Sequence, residues 1–279
     1  MAINIMAKSK QPKIGLALGS GGPKGLSHIG IIKVLEKNNI PIDFIAGVSI
    51  GSVVGGFYAY TKNIEKIEEI ALSNNWRHTL SLFFDPSLSQ GLVNGRKIKI
   101  FIENIIGKIH FKDLKIPFSV VTTDIKTGKA VIMDKGEVAT AIRASSSIPL
   151  IFKPVKLGNS LLVDGGLSIP VPAGVVRGMG ADIVIAVNLD ADYFSDIQDS
   201  NFGFYRIANN SIKLLRYNLS SSNIRDADII INPKVGKVGW NKFIDSKSVI
   251  LAGEEAMQLS ILQLKELIKN RSSSTLGDV

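Results

Sequence analysis

Gly47-Val48-Ser49-Ile50-Gly51 sets one serine at the end of an apolar run, with a glycine two positions away on either side. A hydroxyl held there could act as a nucleophile. A strand turning sharply into a helix strains the residue at the corner, and its neighbours must be small for strand and helix to approach each other. The helix that follows aims the positive end of its dipole at the point where an oxyanion would develop. The same residues also fit an ordinary helix start, because serine is a good N-cap. Taken alone, the five residues leave both readings open.

A second glycine cluster, Gly19-Ser20-Gly21-Gly22-Pro23-Lys24-Gly25, offers exposed backbone N–H groups to an anion. A dinucleotide-binding turn needs G-x-G-x-x-G, but after Gly19 and Gly21 the third glycine comes one place late, at Gly25. That site also wants an acidic residue ending the next strand, where Ala46 stands. A phosphate-binding P-loop needs Lys followed by Ser or Thr, and Lys24 is followed by Gly25. An oxyanion hole remains, with Gly21 and Gly22 as donors and Pro23 unable to donate. A tight turn that needs glycine only for packing is the alternative.

Serine requires a partner to take its proton, most often histidine. The order serine, acid, histidine would need a histidine late in the sequence, and the chain has only His28, His78 and His110. His28 falls inside the first expected helix, where a structural role fits it best. The other candidate is Asp164, which ends a short apolar run and is followed by Gly165 and Gly166. Those glycines let a second backbone come close, and burial would raise the carboxylate's pKa toward the range of a working base. Asp-Gly by itself is also a common turn.

These groups need a scaffold. Ile14–Gly19 reads as a buried strand, Gly25–Asn38 as a helix, Pro41–Ala46 as a second strand, and the glycine-rich stretch after Ser49 as a second helix. That β-α-β-α order calls for a parallel sheet. Further helices are expected over 64–75, 96–106 and 137–145. Strands are expected over 118–123 and 130–133, joined by a turn at Thr127-Gly128, and over 161–163, 182–188 and 227–232. A long amphipathic helix is expected over 246–270. The aromatic stretch Leu80–Phe84 reads either as core or as a lipid-touching lip, and 190–226 shows no clear period. The organisation expected is a basic leader over 1–12, one catalytic domain over 13–270, and a frayed tail over 271–279.

Composition narrows the chemistry. The 279 residues include no cysteine, which excludes disulfides, thiolate metal sites and a cysteine nucleophile. No carboxylate or histidine cluster has ligand spacing, so neither metal nor cofactor is expected. No signal segment or long apolar span is apparent, and a cytoplasmic protein, peripheral to a membrane at most, is expected. The net charge of +9 suits a solubilising surface or an anionic membrane face, and the lysines are dispersed. No nucleic-acid partner is expected, and oligomeric state is left open.

Several stretches together resemble the patatin-like phospholipase family, in its small bacterial branch, over about residues 13–190. LALGSGGPKGLSHIGIIKVLE is similar to the family's glycine-rich segment and first helix, and GVSIGS to its nucleophile elbow. TTDIKTGKAVIM, AIRASSSIPLIFKPV and LLVDGGLSIPVPAGVVRGMGADIVIAVNL resemble the region leading to and past its D-G-[GA] motif. The resemblance implies a three-layer α/β/α sandwich with a mostly parallel central sheet. It implies a Ser-Asp dyad of Ser49 and Asp164, oxyanion donors at Gly21 and Gly22, and lipid acyl esters as substrates. Gly19, Ser20, Lys24, Gly25, Gly47, Gly51, Gly165 and Gly166 take the supporting positions. Ser20 and Pro23 depart from the family's usual glycine run. Two rivals stand beside the hydrolase: a catalytically silent regulatory or interaction module, and a nucleotide site at the first glycine turn.

Overall fold

The computed structural model describes residues 11–73, 94–192, 203–236 and 246–274. Leu80–Phe84 and His78 lie outside the described residues. The chain opens with β1 (Ile14–Leu18), a 3-10 turn (Gly22–Leu26) and α1 (Ser27–Lys37), followed by β2 (Phe44–Val48), α2 (Ile50–Thr61) and α3 (Ile64–Leu72). The first helix was expected from Gly25. Regular α-helix instead starts at Ser27, because Gly22 sits at φ 58 and Pro23 has no N–H to give, so the chain first winds as the tighter turn. Then come α4 (Arg96–Ile106), β3 (Phe118–Asp124), β4 (Ala130–Met133), α5 (Val138–Ser145), β5 (Val155–Leu157) and β6 (Ser160–Asp164). The remainder is α6 (Ala173–Gly178), β7 (Ile183–Val187), α7 (Phe204–Asn223), β8 (Ile229–Ile231) and α8 (Ser246–Ser274).

Strands β8, β7, β1, β2 and β3 lie side by side and parallel, and β4 closes the far edge of β3 antiparallel. Register on β3 fixes the position of β6. Strand β2 pairs with Phe118–Val121, β4 with Val120–Thr123, and β6 with Thr122–Asp124. Since β4 overlaps both of the others, β2 and β6 must share the opposite edge. Val48 therefore ends β2 opposite Val121, and Asp164 ends antiparallel β6 opposite Thr122, one position further on. The two strands meet tip to tip along one row of the sheet.

Alternation along the strands divides the core. Ile14, Leu16 and Leu18 face a large cluster shared with α1, α2 and α8, and Ala17, Ala46, Val184 and Ala186 face a smaller one with α6. Small residues let α6 lie close: a Cβ on Gly15 would be 2.0 Å from Val176 Cγ1. Helices α1 and α8 are closer still. A Cβ on Gly30 would stand 2.0 Å from the Ile250 carbonyl, and one on Gly253 2.0 Å from that of Ser27. Lys33 bridges the bundle, 2.8 Å from Glu68 on α3 and 2.6 Å from Glu254 on α8.

Helix α8 runs to Ser274, so residues 271–274 are helical where a frayed tail was expected. Arg271 anchors them, donating to the Asp182 carbonyl at 2.7 Å and pairing with Asp228 at 2.9 Å. Among the described residues no helix is long and apolar enough to cross a membrane.

Candidate active site

Ser49 occupies the junction of β2 and α2 at φ 52, ψ −122, a left-handed backbone that costs a non-glycine residue about 1–3 kcal/mol. Its side chain makes no cap hydrogen bond, so the ordinary helix-cap reading fails. Ser52 secures the turn instead, its hydroxyl donating to the Ser49 carbonyl at 2.6 Å. The Ser49 N–H donates to Ser145 Oγ at 2.8 Å, and that hydroxyl donates to the Val121 carbonyl at 2.6 Å. Serine at the elbow is thus pinned from below by α5 and β3. Both flanking glycines are sterically required. A Cβ on Gly47 would lie 2.6 Å from the Gly51 carbonyl, and one on Gly51 2.2 Å from the Leu18 carbonyl.

With β2 and β6 tip to tip, the Asp164 carboxylate lies near the Ser49 hydroxyl, which helps to hold its pKa down. The carboxylate also accepts the Gly166 N–H at 2.8 Å. Burial pushes its pKa above the ordinary aspartate value, opposed by the nearby Arg216 guanidinium and by the hydrogen bonds from Gly166 and Ser49. The Asp164 main chain is fixed as well: its N–H donates to the Ser147 carbonyl at 3.0 Å, and its carbonyl accepts Thr123 Oγ1 at 3.0 Å. Gly165 allows this approach, since a Cβ there would be 2.2 Å from the Val121 carbonyl.

The glycine turn is seated against the same corner. The Gly19 N–H donates to Val187 and that of Ser20 to Pro170, which ties the turn to β7 and to the segment after Asp164. Gly25 lies against Ile50, the residue after Ser49, and Gly166 lies against Ser20. Among the described residues the Gly21 and Gly22 N–H groups have no protein acceptor. Ser20 Oγ is buried without a partner. The Lys24 carbonyl accepts the Ser27 hydroxyl at 2.7 Å and holds the turn onto α1.

His28 is fully buried, and its Nε2 donates to the Gly19 carbonyl at 2.9 Å, so it braces the turn. Burial pushes its pKa from 6.5 down to about 4. The folded value lies below the unfolded one, so the unfolded chain binds the extra proton first. Stability is lost as pH falls from about 6.5 to about 4, by about 3 kcal/mol in all. Urea unfolding at pH 7 and pH 5 will show this drop in wild type and a smaller one in His28→Gln.

Residue-type reasoning overlooked three supports. Ser145 holds the elbow. Buried Arg143 donates to Ser147 Oγ and to the carbonyls of Gly95, Asn94 and Lys153, steadying the segment that holds Asp164. Burial lowers its pKa to about 10. Arg216 on α7 pairs with Asp190 at 2.7 Å. Arg143 and Ser145 were visible as polar residues in a largely apolar helix, with Ser147 just past its end; Arg216 gave no such signal. Among the described residues no group of histidines and carboxylates could hold a metal ion.

The patatin-like phospholipase model matches residues 16–177. An uncharacterised NTE family protein of Mycobacterium bovis is 38% identical over 193 residues, which is 69% of this chain and 53% of that protein. The lysophospholipase NTE1 of Yarrowia lipolytica is 36% identical over 196 residues, 68% of this chain and 13% of the yeast protein. The chain thus spans about half the length of the mycobacterial relative and a small part of the yeast one. VipD of Legionella pneumophila shares the fold, with a TM-score of 0.52 at 12% identity over 94% of this chain and 67% of that one. With its elbow, its glycine turn and the Asp-Gly-Gly segment all inside or bordering on one another within the matched span, the chain belongs to the patatin-like phospholipase family.

Proposed function

We propose that the chain is a serine acyl hydrolase that cleaves lipid acyl esters, phospholipid or lysophospholipid, with Ser49 as nucleophile and Asp164 as base. One observation supports this reading: a serine held at strained φ 52 does no capping, and a buried carboxylate at the facing strand tip lies near its hydroxyl. Asp164 takes the Ser49 proton as Oγ attacks the ester carbonyl carbon. The carbonyl oxygen gains the charge and accepts from the Gly21 and Gly22 N–H groups, worth about 3 kcal/mol each. The C–O bond to the alcohol breaks, and the alcohol leaves with the proton from Asp164. Water then attacks the acyl-serine, Asp164 takes the water's proton, and fatty acid leaves as Ser49 regains it. The relative named a lysophospholipase and the family itself support a lipid substrate. The net charge of +9 favours an anionic membrane surface as its source.

A fluorophosphonate probe will label Ser49, and Ser49→Ala will abolish the label; a labelled alanine variant, or an unlabelled wild type, would favour the silent module. Only ionised Asp164 can accept a proton. Its raised pKa therefore sets the acid limb of kcat/KM on a soluble ester, with activity falling as pH drops through a value above the ordinary 3.8.

A further inference from the structure

Arg216 projects from α7, the helix that packs on the Gly165–Leu167 turn directly after Asp164. Its partner Asp190 follows Leu189, whose side chain fills the space where a Cβ on Gly21 would lie, 2.6 Å away. The guanidinium is thus near enough to the proposed base to lower its pKa, and its partner Asp190 adjoins the residue packed on the glycine turn. Its pairing is lopsided: Nη2 alone reaches both Asp190 oxygens, at 2.7 and 3.0 Å. Nε is shut off from solvent with no partner, and the other Nη makes no hydrogen bond among the described residues. A buried guanidinium N–H left unpaired costs about 1–3 kcal/mol, so a fold that keeps one there gains when an acceptor arrives. Nε–H shares its edge of the guanidinium with the second hydrogen of Nη2, and the two form a planar fork that matches two oxygens of a phosphate.

We infer that Arg216 binds the phosphate of the lipid headgroup, with Asp190 as the counter-ion that holds the guanidinium in place while the site is empty. This rests on the acyl-hydrolase reading above and names the substrate feature that the site selects. An ester whose carbonyl lies at Gly21 and Gly22 carries its phosphate one glycerol unit away, and in this proposal that phosphate sits at Arg216. Arg216 also acts on Asp164 through its charge, an effect common to every ester substrate.

The measurement is the ratio of kcat/KM for lysophosphatidylglycerol to that for 1-monoacylglycerol with the same acyl chain, in which damage to the shared machinery cancels. Arg216→Gln lowers the ratio about tenfold, the equivalent of one charge-assisted contact of about 1.4 kcal/mol. Arg216→Lys falls between, keeping the charge without the fork. Asp190→Asn raises the ratio by freeing the guanidinium, a direction that loss of folding cannot produce. An unchanged ratio in Arg216→Gln and Asp190→Asn overturns the assignment. So does competitive inhibition of monoacylglycerol turnover by inorganic phosphate that depends on Arg216 while the ratio stays fixed, which would make this a site for the free anion. A wild type that hydrolyses neither ester removes the acyl-hydrolase reading and this one with it. Hydrolysis of both with a fixed ratio removes only this one.

Discussion

Asp164→Asn is expected to lose at least ~10⁴-fold in kcat while melting at a higher temperature than wild type. The loss follows from removing the proton acceptor beside Ser49; Ser49→Ala, which removes the nucleophile, should cost about 10⁶-fold. The gain in stability follows from the sign of the shift at Asp164. Burial raises its folded pKa above the unfolded value. The stabilisation that a protonated, buried carboxyl contributes is fully present below the unfolded pKa and is lost as pH rises through the folded one. Wherever Asp164 is ionised, wild type therefore carries a charge in a poorly solvated site. Asparagine is neutral at every pH and can still accept the Gly166 N–H. The expected gain is about 1 kcal/mol, or 2–4 °C, shrinking as pH falls toward 4. Thermal melts at pH 7.5 and pH 4 beside ester assays test both halves. Residual turnover near wild type would overturn the role of the base, and a lower melting temperature at pH 7.5 would overturn the account of its burial.

The largest effect on stability is expected at Gly253, far from the chemistry. An alanine there puts Cβ 2.0 Å from the Ser27 carbonyl, and the reciprocal contact of Gly30 with the Ile250 carbonyl closes the same crossing. Both obstacles are backbone, so no rotamer change relieves them, and α1 and α8 must move apart. Gly253→Ala should cost about 3 kcal/mol and lower the melting temperature by roughly 6–12 °C. Leu259→Ala on the same helix, where the leucine is 87% exposed, should change stability by less than about 0.5 kcal/mol. Equal melting temperatures for the two variants would refute the tight crossing. Ser27 adjoins His28, so the displaced helix also loosens the brace on the Gly19 carbonyl.

The parts of the site that could be read from sequence are those built by local rules. Gly47 and Gly51 around Ser49, and Gly165 and Gly166 after Asp164, are demanded by contacts a glycine pattern signals. The parallel β1–β2 pairing follows from the β-α-β-α order. The brace from Ser145 to Ser49 spans 96 positions and has no local signature. Helix α7 was illegible because Ile207, Leu214 and Leu215 lie exposed, which blurs the apolar stripe that marks a helix packed on one side. Arg216 was hidden with it. The start of α1 was misplaced because a glycine at positive φ followed by proline favours a tighter turn than the apolar spacing suggests.

The two residues proposed to react ride on strands that point at each other along a single rail, β3. Their separation is therefore set by counting residues, not by the shape of a loop. Sliding β6 by one residue along β3 would carry the carboxyl about 3.3 Å and turn it to the opposite side of the sheet. Drift in this lineage should consequently show as a forbidden single-residue insertion or deletion between Ser160 and Asp164, while the lengths of outlying connections are free to wander.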